Sequence, residues 1–306
     1  MANISLENQV AIVTGAGKGL GRVYALALAV RGAKIVVNNR RHSDEDKSSA
    51  DATVDAIRAA GGEAVANYDS VEDSKAGDNL VAQAMDQFGR IDIVIPNAGV
   101  ARYGALHDVG EDIFRECMEI NYFGALRLAG AALPHMRASK YGRIVMCIST
   151  GGLFPCASVG AYGASKAAVV SFMKALAQEE APNGIGVNGI APYASTAMLG
   201  TLPLLTAEQG NLIKPEAVAP VLVWLASPAC KKAGEIIITG GGAFKAAAGP
   251  TQGKTKFVGA PGEAPTVEEV DAVADDLLRM EEPEPGGDVL KALVDFVRDI
   301  EKKRAC

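Results

Sequence analysis

The sequence predicts an α/β protein built on a doubly wound, seven-stranded parallel sheet with a C-terminal helical appendage. Short apolar runs rich in β-branched residues alternate with longer segments of helical periodicity over residues 1–245. A glycine-rich turn follows the first of these runs, and glycine or proline ends most of the helical segments. Strands that alternate with helices at regular spacing pair in parallel, because each helix returns the chain to the same edge of the sheet.

The seven strands leave polar residues at their ends. They are predicted at 10–13, 34–38, 64–67, 91–95, 142–148, 185–190 and 235–239. Helices are predicted from the glycine turn to residue 32 and at 50–60, 71–88, 111–138, 161–181 and 215–227. Ligands of such sheets bind at the carboxyl ends of the strands. Thr14, Asn39, Asp69, Asn97 and Ser149 all fall at these ends.

A domain boundary is expected near residue 245. The stretch 240–265 is rich in Gly, Ala, Pro, Thr and Lys and is predicted to be an irregular connection. Residues 246–306 then form an extension with two amphipathic helices, one with an apolar face around Val270 and Leu277, the other around Leu293 and Val297. Upstream, residues 194–214 have poor periodicity and are predicted to form a mobile loop over the ligand site.

Composition argues against several classes of function. The net charge of −6 does not suggest a nucleic-acid or anionic membrane partner, and no run of about 18 apolar residues predicts a membrane span. The N-terminus has no basic segment followed by an apolar one, as a secretion signal has. Five cysteines without a CxxC pair predict reduced thiols and a cytoplasmic location, and three scattered histidines predict no metal site. The expected partner is a small-molecule substrate.

The first strand leads directly into a turn of sequence T-G-A-G-K-G-L-G at residues 14–21. Strand, glycine turn and helix are the context that a dinucleotide-binding motif requires. The glycines let the backbone approach a pyrophosphate, which binds at the N-terminus of the helix. The turn therefore predicts cofactor contacts at Gly15, Lys18, Gly19, Leu20 and Gly21. The alternative is a tight connection in which glycine serves steric needs only.

The second strand is followed by Asn39, Arg40 and Arg41. In NAD-binding units an acidic residue at this place usually holds the ribose hydroxyls. An acid would repel the 2′-phosphate of NADP, whereas arginines pair with it, and Lys18 adds positive charge nearby. The sequence therefore favours NADP, with NAD as the alternative, and it predicts cofactor contacts at Asn39 and Arg40. A second interpretation has the two arginines cap a solvated loop.

Tyr162 and Lys166 lie four residues apart at the start of a long apolar segment. On a helix they share one face, which places a phenol beside an ammonium group. A nearby lysine cation favours the phenolate and lowers the pKa of the tyrosine from about 10. Such a tyrosine exchanges a proton with an alcohol oxygen, and the hydroxyl of Ser149 would hold the same oxygen. Tyr-x-x-x-Lys pairs also occur by chance in many helices.

Several motifs occur together in a fixed order and spacing. They are Thr14-Gly15-x-x-x-Gly19-x-Gly21, Asn97-Ala98-Gly99, Asn121, Ser149, Tyr162-x-x-x-Lys166 and Asn188 followed by Pro192. In this combination the chain resembles the short-chain dehydrogenase/reductase superfamily over about residues 6–245. Locally, residues 65–71, 191–198 and 214–220 and the C-terminal helices look like the dehydrogenase unit of multifunctional type 2 β-oxidation enzymes. Related bacterial proteins act on 3-hydroxyacyl-CoA thioesters and 17β-hydroxysteroids.

The resemblance implies a Rossmann-like catalytic domain over residues 1–245 and a role for each matching residue. Tyr162 would be the general acid/base, Lys166 would lower its pKa and bind the nicotinamide ribose, and Ser149 would hold the substrate oxygen. Asn121 would anchor a water in the proton relay, although composition alone also allows an exposed polar position. The other implied contacts are Asp69 and Ser70 to adenine, Asn97, Ala98 and Gly99 to the ribose side, Thr196 to the carboxamide, Pro192 to the cofactor and Tyr193 to the substrate.

These expectations describe an NAD(P)-dependent oxidoreductase that interconverts a secondary alcohol and a ketone on a lipophilic substrate, as a homodimer or homotetramer. The β-oxidation relatives generally have aspartate at the position of Asn39, and residues 155–160 differ from their glycine/asparagine/phenylalanine pattern. The competing interpretation is a non-catalytic dinucleotide-binding sensor or scaffold. The intact set of Asn121, Ser149, Tyr162 and Lys166 favours the enzyme.

Overall fold

The computed structural model describes residues 4–41, 48–154, 156–196 and 211–247, together with the backbone of two short strands further along the chain. The chain divides into two compact units, Met1–Ala247 and Ala248–Cys306. Residues 197–210 of the loop predicted at 194–214 lie outside the described residues, as do the two amphipathic helices predicted for the C-terminal extension.

Eight strands of the first unit form one sheet. They are β1 (Val10–Val13), β2 (Lys34–Asn38), β3 (Ala64–Asn67), β4 (Ile93–Ile95), β5 (Gly142–Cys147), β6 (Ile185–Pro192), β7 (Ile236–Gly240) and β8 (Ala243–Ala247). Their order in space is β3-β2-β1-β4-β5-β6-β7-β8, and β1 to β7 are parallel. The seven parallel strands are those that the sequence predicts. The order reverses at β1, so a crevice opens between the carboxyl ends of β1 and β4.

The eighth strand corrects the prediction of an irregular connection from residue 240 onward. β8 runs antiparallel to β7, with Phe244 opposite Thr239. Gly241 and Gly242 both have positive φ and form the two-residue turn between these strands. Because β8 is exposed along most of its length, its sequence lacks the apolar alternation that would have marked it as a strand. In the second unit, β9 (Thr251–Gln252) pairs antiparallel with β10 (Glu284–Pro285).

Seven α-helices connect or follow the strands in the described part of the first unit. They are α1 (Gly19–Val30), α2 (Ser49–Ala59), α3 (Ala76–Phe88), α4 (Glu111–Met118), α5 (Gly124–Ser139), α6 (Gly160–Glu180) and α7 (Ala219–Ala226). The helix predicted from residue 71 begins five residues later, after a turn in which Asp73 N–H donates to the Ser70 carbonyl. None of the helices in the described ranges is long and apolar enough to cross a lipid bilayer.

The helices cover both faces of the sheet, as a parallel sheet requires. One face packs α1, α2 and α7 against strand residues such as Ile35. The opposite face packs α3, α5 and α6, with Leu128 and Met173 buried among strand residues such as Ile144. Truncating a buried leucine such as Leu128 to alanine costs about 2–5 kcal/mol. Packing on both faces of the sheet therefore fixes the positions of the strands, and with them the strand ends at which the site lies.

A π-helical turn, Glu119–Phe123, separates α4 from α5. The sequence predicts a single helix over 111–138, because its apolar residues keep a helical period throughout. The wider turn inserts an extra residue into the helix and often marks a functional site. Asn121 lies in this turn with only 2% of its surface exposed, so the interpretation as an exposed polar residue is wrong.

Candidate active site

The glycine turn forms one wall of the crevice at the N-terminus of α1. Gly15 and Gly19 have φ of +64° and +54°, a region that favours glycine. A Cβ on Gly21 would lie 2.2 Å from the Gly15 carbonyl oxygen, whereas a Cβ on Gly19 would meet no atom within 4 Å. No side chain caps α1, and its first turn contains no acidic residue. The helix N-terminus therefore presents backbone N–H groups to an anion.

Hydrogen bonds that Thr14 accepts join the ends of β1 and β4. Its hydroxyl accepts from the backbone N–H groups of Asn97 and Ala98, both at 3.0 Å, and its carbonyl accepts from Asn97 Nδ2 at 2.9 Å. These bonds fix the floor of the crevice. The sequence analysis placed Thr14 at the ligand-binding ends of the strands but assigned it no contact of its own.

The predicted cofactor residues lie together. A crevice of about 310 Å³ is lined by Gly15, Lys18, Gly19, Leu20, Gly21, Asn39, Asn97, Ala98, Gly99, Tyr162, Lys166, Pro192 and Thr196. A smaller cavity of about 130 Å³ shares Gly15 and Asn39 with it and also contains Arg40, Asp69 and Ser70 in its wall. Asn121, Ser149 and Tyr193 do not line either space. Tyr193 lies just beyond β6 and is 44% exposed.

The polar and charged side chains that follow β2, at residues 39–41, already have partners. Arg40 Nη1 lies 3.3 Å from Glu72 Oε2. The Arg41 guanidinium stacks 5.8 Å from the centre of the Tyr68 ring. Asn39 Nδ2 donates to Ser49 Oγ at 2.9 Å. The two arginines thus point to different neighbours, and Arg40 is the one that lines the cavity.

Tyr162 and Lys166 line the same crevice, and Ser149 lies beside Tyr162. Lys166 is 6% exposed, and its Nζ donates to the Cys147 carbonyl at 2.7 Å and lies 6.0 Å from the centre of the Tyr162 ring. Ser149 begins a short 3₁₀ turn, where its Oγ accepts from Gly151 N–H at 3.1 Å. The hydroxyl of Ser149 lies close enough to Tyr162 for hydrogen bonding to lower the pKa of the phenol. A phenol and a serine hydroxyl side by side can hold one bound oxygen and exchange a proton with it.

Burial shifts the two titratable members of this group in opposite directions. It raises the pKa of Tyr162 above its ordinary value, and the hydrogen bond with Ser149, which lowers this pKa, only partly offsets the burial. Burial also lowers the pKa of Lys166. The sequence led us to expect a lowered Tyr162 pKa. In the structure the Lys166 amine donates to a backbone carbonyl instead, and desolvation of the phenol has the larger effect.

The side chain of Asn121 is bound by protein groups. Its Oδ1 accepts from Val100 N–H at 2.8 Å, and its Nδ2 donates to the Val100 carbonyl at 2.9 Å and to Ser165 Oγ at 2.8 Å. These three bonds tie the loop after β4 to α6. Because Ser165 precedes Lys166 on that helix, Asn121 connects the loop that follows residues 97–99 to the predicted catalytic pair. Its role in a proton relay stays a prediction.

Tyr103 is a site residue that the sequence analysis missed. Its ring meets the Tyr162 ring edge to face, with centres 6.0 Å apart and planes at 70°. Burial raises the pKa of Tyr103, and the neighbouring Tyr162 and Cys156 add to this effect. Gly104 N–H donates to the Ser158 carbonyl at 2.8 Å and so ties this segment to the one before α6. A contact across sixty residues of chain has no local sequence signal.

Comparison with known proteins gives a consistent result. The model of the short chain dehydrogenase family matches residues 9–203. A short-chain type dehydrogenase/reductase of Mycobacterium tuberculosis is 39% identical over 241 residues, which cover 78% of this chain and 84% of that protein. A 3-oxoacyl-acyl-carrier-protein reductase of Synechocystis is 36% identical over 231 residues, which cover 73% of this chain and 91% of the reductase.

Larger proteins also match. Peroxisomal multifunctional enzymes of Mus musculus, Dictyostelium discoideum and Drosophila melanogaster are 38–40% identical, and this chain spans 32–54% of their length. Peroxisomal hydratase-dehydrogenase-epimerases of Saccharomyces cerevisiae and Neurospora crassa are 38% identical, and this chain spans 24–27% of their length. The solved structure of full-length peroxisomal multifunctional enzyme type 2 from Drosophila melanogaster superposes with a TM-score of 0.83 at 30% identity. The superposition covers 98% of this chain and 50% of the fly chain.

Proposed function

The chain belongs to the short-chain dehydrogenase/reductase family and is an NAD(P)-dependent oxidoreductase that acts on CH–OH groups; from this premise we propose that Tyr162 is its general acid/base. The observation that carries the proposal is that Tyr162 and buried Lys166 line the crevice formed by the glycine turn, with Ser149 beside Tyr162. The substrate is a lipophilic secondary alcohol or ketone.

The residues of the crevice fit a dinucleotide. The open space at Gly19 and the uncapped N-terminus of α1 suit a pyrophosphate. Asp69 and Ser70 would bind the adenine, residues 97–99 and Lys166 the ribose side, and Thr196 the carboxamide. When bound, NAD(P) supplies the hydride for reduction or accepts it in oxidation.

Tyr162 moves the proton that accompanies the hydride. In reduction its phenol donates the proton to the carbonyl oxygen of the substrate; in oxidation its phenolate accepts the proton of the alcohol. The hydroxyl of Ser149 holds the same substrate oxygen and keeps it within reach of Tyr162. Lys166 binds the ribose and orients the phenol from the neighbouring turn of α6. The raised pKa of Tyr162 favours the protonated phenol, the form that donates in reduction.

NADP(H) is the proposed preferred cofactor. Asn39 takes the place of the carboxylate that would repel a 2′-phosphate, and Arg40 lines the cavity beside it. One charge-assisted hydrogen bond contributes about 1.5–3 kcal/mol, which corresponds to tenfold or more in affinity. The ratio of kcat/KM for NADP and NAD, in wild type and in Arg40→Ala, tests this preference. A wild-type preference for NAD would contradict it.

The proposed substrates are 3-hydroxyacyl thioesters or hydroxysteroids. Half-buried Tyr103 offers apolar surface beside Tyr162, and the rings of Phe154 and Tyr193, which follow Ser149 and β6 in the chain, are exposed. The Synechocystis relative is named as a reductase of 3-oxoacyl groups, which supports an acyl substrate. Four free cysteines among the described residues, three of them buried, support a reducing compartment such as the cytoplasm.

A substrate panel assayed with both cofactors, in wild type and in Tyr162→Phe, tests the function. We expect wild type to turn over at least one member. We expect Tyr162→Phe to bind cofactor normally but to lose about 10²–10⁴-fold in turnover. Near-full activity of the Phe variant would contradict the mechanism. Cofactor binding without turnover of any substrate would favour a sensor or scaffold instead.

A further inference from the structure

The small cavity beyond the ends of β2 and β3 contains a carboxylate, Glu72, to which the proposed function assigns no role. Arg40 Nη1 lies 3.3 Å from Glu72 Oε2, and the same carboxylate oxygen accepts a hydrogen bond from Ser70 Oγ at 2.9 Å. All three side chains line the cavity, together with Asn39. A carboxylate, that of Glu72, therefore lies beside the proposed position of the 2′-phosphate. It follows β3, whereas the usual acidic residue of NAD-binding units follows β2.

Glu72 is the less exposed member of its pair with Arg40, with 38% of its side chain exposed, and Ser70 contacts it as well. Ser70 Oγ also accepts from Glu72 N–H at 3.5 Å, so the serine holds both ends of the residue. The segment in front of it is held by Asn38 Nδ2, which donates to the Asp69 carbonyl at 2.9 Å. The Arg40 side chain is 51% exposed and has room to turn toward a ligand.

A 2′-phosphate and Glu72 compete for the same guanidinium. A phosphate monoester carries about 1.5–2 negative charges at neutral pH, so it attracts Arg40 and repels the carboxylate. NAD has a neutral hydroxyl at this position and meets neither effect. Because an exposed ion pair contributes little to stability, a phosphate is able to break it, although at a cost to its own affinity.

We infer that Glu72 is a specificity-determining residue: as the counterion of Arg40 it lowers the affinity for NADP(H) while leaving that for NAD(H) unchanged. The inference rests on the proposed function, since it requires a dinucleotide in the crevice. The ratio of NADP(H) to NAD(H) affinity then depends on two residues: Arg40 after β2 attracts the 2′-phosphate, and Glu72 after β3 opposes its binding.

Calorimetric titration with NADP⁺ and with NAD⁺ tests the inference without any need for turnover. The variants are Glu72→Gln, Arg40→Ala, the double variant, and Asp73→Asn as a matched control that removes a charge from the adjacent exposed position. We expect Glu72→Gln to tighten NADP⁺ binding roughly threefold to tenfold and to leave NAD⁺ binding unchanged. The gain should shrink in the Arg40→Ala background and at high salt.

Each outcome decides the inference. An equal effect of Glu72→Gln on both cofactors, an equal gain with and without Arg40, or an equal gain from Asp73→Asn would overturn it while leaving the proposed function intact. Failure of wild type to bind either dinucleotide would overturn both. Glu72→Asp, which keeps the charge, should retain a ratio closer to wild type, and a ratio equal to that of Glu72→Gln would show that charge is not the cause.

Discussion

Two residues four positions apart on α6 experience the same burial with opposite results. Desolvation disfavours whichever form of a group is charged, so it raises the pKa of the Tyr162 phenol and lowers the pKa of the Lys166 ammonium. The pair therefore tends toward neutral phenol and neutral amine. Ser149 opposes this tendency at Tyr162 through its hydrogen bond.

We predict that Tyr162 in the free protein ionises above the ordinary tyrosine value of about 10. A raised pKa means that the phenol persists to higher pH than in an unfolded chain. The difference in ultraviolet absorbance between wild type and Tyr162→Phe, followed during alkaline titration, reports this group alone. A midpoint below about 10 would show that the charge of Lys166 outweighs burial.

Tyr103 should affect turnover through its ring rather than its hydroxyl. An edge-to-face aromatic pair contributes about 0.5–1.5 kcal/mol, which corresponds to roughly threefold to tenfold in rate if it positions Tyr162. We predict a loss of that size in kcat for Tyr103→Ala and little change for Tyr103→Phe. A similar loss in both variants would instead assign the effect to the hydroxyl.

At the scale of elements, α1 contains a buried group that weakens its packing. Tyr24 is fully buried, and its hydroxyl has no hydrogen-bond partner among the described protein groups. An unsatisfied buried hydroxyl costs about 1–3 kcal/mol. We predict that Tyr24→Phe raises the free energy of unfolding by about 1 kcal/mol. Urea unfolding measures this free energy. Tyr24→Leu, which also loses the volume of the ring, should be less stable than Tyr24→Phe.

The same residue predicts an alkaline dependence of stability. Burial raises the pKa of Tyr24 well above its ordinary value. Below about pH 10 the phenol is neutral in both states and contributes no pH dependence; above it the unfolded chain ionises first, so stability falls as pH rises. Urea unfolding of wild type near neutral pH and above pH ~10 should show this loss, and Tyr24→Phe should show less of it. An equal loss would exclude Tyr24 as its source.

Sequence periodicity predicted the parallel strands but missed β8 and the π-helical turn. The seven parallel strands were identifiable because residues such as those of β1 are buried on both faces. β8 escaped because its residues are exposed, and the π-helical turn escaped because its residues keep a helical apolar pattern. The pairing of Tyr103 with Tyr162 and of Arg40 with Glu72 depends on tertiary structure, which local patterns do not encode.

For the whole molecule, we predict self-association through α5 and α6. An exposed row of small side chains, Ala164, Ala167, Ser171 and Ala175, runs along α6 and allows another helix to approach closely. Sedimentation should give two or four times the chain mass of 31.6 kDa. Ala175→Arg should lower that mass, whereas Ala52→Arg, at an exposed position of α2, should not. A monomeric wild type with full activity would contradict the prediction.

The position of β1 has a consequence for how the protein is made. In the finished sheet β1 pairs with β2 on one side and with β4 on the other, and its four residues are fully buried. During synthesis at about 5–20 residues per second, β4 leaves the ribosome on the order of ten seconds after β1. For that interval the most central strand of the N-terminal half is an open edge, the kind that pairs with other chains. Nascent chains that stop before Ile93 are therefore the ones we expect to require a chaperone.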